Sequence, residues 1–167
     1  MIRLSAVIIT FNEEKNIGRC LESLKGVADE IVVLDSFSTD QTESICREHG
    51  VRFIRHPFGG YIEQKNEVLR LAHYDHVLSL DADEALSPQL RASILDLKAN
   101  WQLDAYSFNR LTWYCRRFMR HGGWYPDTKV RLFVRGKGAW GGENPHDRFI
   151  PHDPARVGKL KGDLLHY

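Results

Sequence analysis

The sequence predicts an α/β fold with a mostly parallel central sheet flanked by helices. Short runs dense in apolar and β-branched residues recur through the first hundred positions: Ala6-Val7-Ile8-Ile9, Ile31-Val32-Val33-Leu34, Val51-Arg52-Phe53-Ile54 and Val77-Leu78-Ser79-Leu80. Stretches of helical periodicity lie between them, and Gly or Pro marks most of the junctions. Strand and helix in strict alternation are the pattern of right-handed βαβ units.

Residues 6–9 are apolar throughout, as a central strand covered on both faces requires. The next segment has Ile17, Leu21 and Leu24 at helical spacing, with Asn12 as the expected cap and Gly26 as the stop. The second strand, 31–34, runs into Asp35, and Asp40 with Glu43 reads as a capping box for a second helix that Gly50 closes. The third strand is 51–54. A third helix over about 62–72 leads to the fourth strand, 77–80, and Ser87-Pro88 opens a helix with Leu90, Ile94 and Leu97 on one face. Beyond Asn100 two more strands are expected, 105–111 and 129–134, separated by an aromatic and basic segment, 113–124. Residues 136–154 read as loop. One domain is expected over 1–167, with 1–100 as the ligand-binding half and 101–167 as an elaborated face of the same core.

The chain has 167 residues and a formal charge of +1, from 23 basic and 22 acidic side chains. A dedicated nucleic-acid binder carries a larger positive excess, so that class is set aside. The three cysteines, Cys20, Cys46 and Cys115, are odd in number and widely spaced, which argues against a disulfide framework or a structural zinc site. No apolar run reaches membrane-span length and no signal peptide is evident, so a cytoplasmic protein with at most peripheral membrane contact is expected.

Chemistry concentrates at strand ends. Ligands of open α/β sheets bind beyond the carboxyl ends of the strands, and three ends carry polar groups: Thr10-Phe11-Asn12-Glu13, Asp35-Ser36 and Asp81-Ala82-Asp83. Helix capping accounts for Asn12 and Asp40 separately, but not for Asp35, Asp81 and Asp83 together. In an extended segment residues i and i+2 face the same side, so Asp81 and Asp83 can address one hard cation such as Mg²⁺ or Mn²⁺. No glycine-rich dinucleotide turn, Walker A loop or Gly-x-Ser-x-Gly elbow is present. The segment 110–131 interleaves Arg116, Arg117, Arg120 and Lys129 with Trp113, Tyr114, Phe118, Trp124 and Tyr125, a surface suited to phosphorylated sugars, on composition alone to a single-stranded nucleic acid, or in part to core aromatics beside a solvated basic edge.

Val7-Ile8-Ile9-Thr10-Phe11-Asn12-Glu13, Ile31-Val32-Val33-Leu34-Asp35-Ser36, Gln64-Lys65-Asn66 and Leu80-Asp81-Ala82-Asp83-Glu84, in that order, resemble the motifs of family 2 glycosyltransferases. Within that family the chain is most similar to bacterial lipopolysaccharide-core β-glucosyltransferases. The resemblance implies a GT-A fold, a UDP-sugar donor, a divalent cation (Mn²⁺ or Mg²⁺) and transfer with inversion. By position it implies Thr10, Asn12 and Glu13 at the nucleoside, Asp35 at the uracil or ribose, and Lys65 near the base or diphosphate. Asp81 would stand beside the ribose and the metal shell, and Asp83 would bind the cation directly.

Two later segments fit the same resemblance. Gly141-Gly142-Glu143-Asn144-Pro145-His146-Asp147 is similar to the stretch that supplies the general base, with Asp147 in that role and Glu143 as its competitor. Gly162-Asp163-Leu164-Leu165-His166-Tyr167 is similar to the stretch whose histidine completes the metal shell, here His166. The implied acceptor is a glycan or lipid-linked glycan at the cytoplasmic face of the inner membrane. Family members continue into further helices, so the acceptor half is expected to be incomplete. Two competing readings are a sugar-phosphate nucleotidyltransferase and a nucleotide- or glycan-binding module without turnover.

Overall fold

The computed structural model describes every residue, Met1–Tyr167. Its first half alternates as the sequence predicts: β1 (Leu4–Thr10), α1 (Ile17–Leu24), β2 (Glu30–Asp35), α2 (Thr42–Glu48), β3 (Arg52–Arg55), α3 (Tyr61–Leu71) and β4 (His76–Asp81). A short strand β5 (Glu84–Leu86) and helix α4 (Pro88–Ala99) follow. The second half is nearly all strand: β6 (Ala105–Tyr114), β7 (Arg117–Phe118), β8 (Asp127–Val134), β9 (Gly138–Glu143), β10 (His146–Pro151) and β11 (Val157–His166).

The sheet order is β3-β2-β1-β4-β8-β6-β11-β5, with β7 paired to β6 off that path and β9–β10 forming a separate hairpin. The parallel arrangement expected from the alternation holds across β3-β2-β1-β4 and for β6 beside β11. The pairs β4–β8, β6–β8 and β11–β5 are antiparallel. Only Ala82 and Asp83 separate β4 from β5, yet three strands lie between them in the sheet. The sheet therefore curls until its far edge returns to the carboxyl end of β4. That curl brings residues from both ends of the chain to one place.

Alternation along β1 explains the layers. Leu4, Ala6 and Ile8 join a core of 21 buried residues with α1, α4 and Cys46 of α2, while Val7 joins a core of 11 on the other face with α3, Phe133, Trp140 and Phe149. A strand that buries alternate residues into two cores must be apolar throughout, which is why residues 6–9 carry no polar side chain. In α1, Ile17, Cys20, Leu21 and Leu24 are all buried, one stripe of an amphipathic helix. Ser87 caps α4 by accepting a hydrogen bond from the Leu90 amide at 3.2 Å, with Pro88 in the first turn.

Several local expectations are corrected. Asn12 does not cap α1, which begins five residues later; it sits at φ 50° and its Oδ1 accepts from the Thr39 amide at 2.8 Å. Asp40 accepts from the Thr42 amide at 2.9 Å, but Glu43 pairs with Arg47 and Arg55 and closes no capping box. Residues 136–154 are mostly the β9–β10 hairpin, whose glycines mask its strand pattern. Phe149 stacks on Phe133 at 3.7 Å, and the Asn66 side chain of α3 bonds both the amide and the carbonyl of Trp140 at 3.1 Å. Strand β11 carries a register shift between Lys159 and Asp163, where Gly162 has φ 102° and a Cβ would overlap the backbone of Leu90. Only glycine fits that approach of strand to helix.

Candidate active site

A cleft of about 700 Å³ opens beyond the carboxyl ends of β1, β2 and β4. Of the ten residues the sequence singled out, seven line it: Thr10, Glu13, Lys65, Asp81, Asp83, Asp147 and His166. They come from five elements (β1, α3, β4, β10 and β11) and two junctions (β1–α1 and β4–β5), spread over most of the chain.

Three predicted residues do not line it. Asp35 is 1% exposed, and its carboxylate accepts from the Thr10 hydroxyl (2.8 Å) and from the amide (2.8 Å) and hydroxyl (2.6 Å) of Ser38. It is thereby committed to joining the ends of β1 and β2. Asn12 braces the same junction from outside: its amide donates to Ser38 Oγ at 2.7 Å. Glu143 is exposed at the end of β9 and faces solvent, so of the two proposed bases only Asp147 reaches the cleft.

The structure divides the expected metal set. Asp81, Asp83 and His166 do not form one cluster. The strand ends at Asp81 and the chain turns through Ala82 and Asp83, so the same-side rule for extended residues does not carry to Asp83. Asp81 turns to cations of the protein, with Lys65 Nζ 3.2 Å from Oδ1 and Arg131 3.5 Å from Oδ2. Burial works against its charge, but Arg131 and Lys65 hold its pKa down to about 2. Asp83 instead faces His166, with Oδ2 3.2 Å from Nε2, and the other imidazole nitrogen lies 3.3 Å from Thr112 Oγ1. The hydrogen bond to Asp83 raises the His166 pKa. The backbone fixes the pair as well, since the Tyr167 amide donates to the Asp83 carbonyl at 2.9 Å.

That pair suits a divalent cation. Two neighbouring ligands of an octahedral ion, each at about 2.1–2.2 Å, stand roughly 3 Å apart, and the carboxylate oxygen and imidazole nitrogen here are 3.2 Å apart. A mixed oxygen and nitrogen donor set is one that Mn²⁺ accepts readily.

Lys65 is the hub of the opposite wall. Its ammonium is 2.6 Å from Asp147 Oδ2, 3.2 Å from Asp81 and 4.4 Å from the centre of the Trp140 ring, with only 5% of the side chain exposed. Behind Asp81, Arg131 makes a buried pair with Glu84 at 2.9 Å, and Glu84 accepts from the Asp81 amide at 2.9 Å. Burial raises the pKa of Glu84 despite that partner. Glu13, at the cleft mouth, is also raised, first by burial and then by the charges of Asp83, Asp40 and Asp81.

The remaining wall is partly aromatic: Phe11, Phe58 and Tyr61 line the cleft, exposed by 59%, 52% and 44%, and Phe58 meets Tyr61 edge-on at 5.1 Å. Sequence reasoning did not single out Phe58, Tyr61 or Trp140 as site residues. An aromatic pair around Gly59-Gly60, just ahead of a helix, was the available signal. Arg131 was equally legible as a charge set between Val130 and the apolar run Leu132-Phe133-Val134.

Comparison with known proteins gives a consistent picture. The model of Glycosyl transferase family 2 matches residues 5–145. An uncharacterized glycosyltransferase of Rickettsia felis is 37% identical over 134 residues, covering 80% of this chain and 45% of its own length. The lipopolysaccharide core biosynthesis glycosyltransferase LpsC of Rhizobium meliloti is 33% identical, covering 98% of this chain and 63% of its own. Among solved structures, glucosyl-3-phosphoglycerate synthase from Mycobacterium tuberculosis, in complex with Mn²⁺, UDP and glucosyl-3-phosphoglycerate, superposes with a TM-score of 0.51 at 25% identity. That match covers 69% of this chain and 46% of the synthase. The chain thus spans about half to two thirds of the length of these relatives.

Proposed function

On the premise that this chain belongs to glycosyl transferase family 2 and has the GT-A fold, we propose that it moves a hexose, glucose, from UDP-glucose to a glycan of the lipopolysaccharide-core kind, with inversion and with a divalent cation. One observation carries the reading. A single cleft holds a carboxylate–imidazole pair, Asp83 with His166, and a separate carboxylate, Asp147, on its other wall. The kinship with LpsC supports the acceptor class, and the UDP and Mn²⁺ complex of the structural neighbour supports the donor and the ion.

Asp83 and His166 would hold the cation, which when bound supplies positive charge against the departing diphosphate. Phe11, Phe58 and Tyr61 offer aromatic faces to the nucleobase. Thr10 and Glu13 flank the nucleoside, on a loop junction that Asp35 and Asn12 hold in shape from behind. Lys65 orients Asp147 by donating to Oδ2 at 2.6 Å. Oδ1 of Asp147 is then free to take the proton of the attacking acceptor hydroxyl. Lys65 also lies where it can meet the negative charge of the diphosphate, so it links the donor side to the base.

A thermal-shift titration tests the class. UDP should raise the melting temperature in the presence of Mn²⁺ and do so weakly without it, because a ligand of the native state stabilises it by mass action. UDP-glucose incubated with a lipopolysaccharide-core acceptor should release UDP. Release of pyrophosphate from UTP and a sugar phosphate would replace the proposal with a nucleotidyltransferase.

A further inference from the structure

A second cavity, of about 420 Å³, lies beside the donor cleft and shares Lys65, Asp81, Pro145 and Asp147 with it. Its remaining wall is basic, with Arg110 from β6, Lys129 and Arg131 from β8, and Arg148 from β10. Most of these cations are already matched. Arg131 pairs with Glu84 and Asp81, Arg110 with Asp127 and Glu84, Lys129 with Asp127, and Lys65 with Asp147 and Asp81. Five cationic groups thus face four carboxylates. The charge in excess belongs to Arg148, which has no carboxylate partner and makes no hydrogen bond through its side chain.

An independent observation falls on the same cavity. Trp140, one of its lining residues, is 4% exposed, and its Nε1 is the one buried side-chain nitrogen or oxygen of the protein without a hydrogen-bond partner. A buried donor left unmade is unfavourable, and such orphans are few in folded proteins. The cavity therefore carries one uncompensated positive charge, and one of its walls holds a buried, unused N–H.

Asp147 fixes what the cavity is for, because it lines both spaces. A base that takes the proton of an acceptor hydroxyl, while that hydroxyl's oxygen attacks the donor's reacting carbon, stands at such a boundary. We propose that the second cavity is the acceptor subsite and that it recognises an acidic sugar, one bearing a carboxylate or a phosphate, through Arg148. The proposal rests on the glycosyltransferase reading and deepens it by naming the chemical class of acceptor. A neutral sugar leaves the Arg148 charge unanswered, whereas a single acidic group answers it and brings the neighbouring hydroxyls towards Asp147.

Calorimetric titration of the protein with glucose 6-phosphate, glucuronate and glucose, each with and without saturating UDP and Mn²⁺, tests this. Binding of either acidic sugar at least tenfold tighter than glucose, retained when UDP is present, is the expected result, and the two acids separate phosphate from carboxylate recognition. Arg148→Gln should weaken the acidic sugars about tenfold and leave UDP affinity unchanged. Equal affinity for glucose, displacement of the acid by UDP, or indifference to Arg148→Gln would overturn the assignment. Failure of the donor-site reading shows separately, as absence of UDP binding in the same titrations.

Discussion

Lys65 Nζ lies 2.6 Å from Asp147 Oδ2 across 82 positions of sequence, and both side chains are more than nine-tenths buried. The contact ties α3 to the β9–β10 hairpin and sets a carboxylate that faces both cavities. Removing one partner of a buried ion pair strands the other's charge, at a cost of about 3–5 kcal/mol. Lys65→Met should therefore destabilise the fold by about 3 kcal/mol in urea denaturation. In an Asp147→Asn background the same change should cost clearly less, because no charge is left unpaired. Asp147→Asn alone should lower kcat by about 10²–10⁴, the usual contribution of a general base.

Asp83 and His166 are expected to behave as one unit. Asp83→Asn and His166→Ala should each abolish the Mn²⁺-dependent part of the thermal shift with UDP. The loss of turnover should exceed the roughly 10–100-fold that removal of a supporting contact to a metal ligand produces. Asp83→Asn protein that keeps full Mn²⁺-dependent UDP stabilisation would remove this pair from the metal site.

Acid should unfold the protein in a defined window. Asp81 is held at about 2 against burial by Arg131 and Lys65. Asp29 and Glu30 are also held below their usual range: burial opposes this, while Lys98 bonds Asp29 and Ser5 bonds Glu30. These groups bind fewer protons folded than unfolded, so their stabilisation is present above the ordinary carboxylate values and is lost as pH falls towards about 2. Glu13, Glu84 and His166 are raised and act in the opposite sense, adding stability as pH falls from alkaline to mildly acidic. Melting temperature followed by circular dichroism should thus rise gently below neutrality and drop steeply below about pH 4.

The three thiols should separate by reactivity. Cys115 is exposed, whereas Cys20 and Cys46 are buried. Burial pushes Cys46 up to about 12 and Cys20 upward as well, which suppresses the reactive thiolate. A chromogenic disulfide reagent at pH 8 should titrate one thiol per folded chain quickly and all three only on denaturation.

Much of this was legible in the sequence because its physical cause is local. The strands of the first half announce themselves as apolar runs, since a strand covered on both faces has nowhere to place a polar side chain. Helix α4 is legible from Ser87, Pro88 and its apolar stripe. The acidic strand end at Asp81 and Asp83 marks a candidate site because two such charges need compensation. What the sequence could not decide is which cation compensates each. That depends on the curl of the sheet, which brings Arg131 of β8 and Lys65 of α3 to Asp81 and carries His166 of β11 to Asp83. It also depends on the β9–β10 hairpin, hidden by its glycines, which turns Asp147 inward and leaves Glu143 in solvent. Periodicity and strand-end chemistry are properties of neighbours in the chain and can be read from it. Pairings across eighty residues are fixed only when sheet order and register place the groups within reach of one another, and the tertiary structure alone decides that.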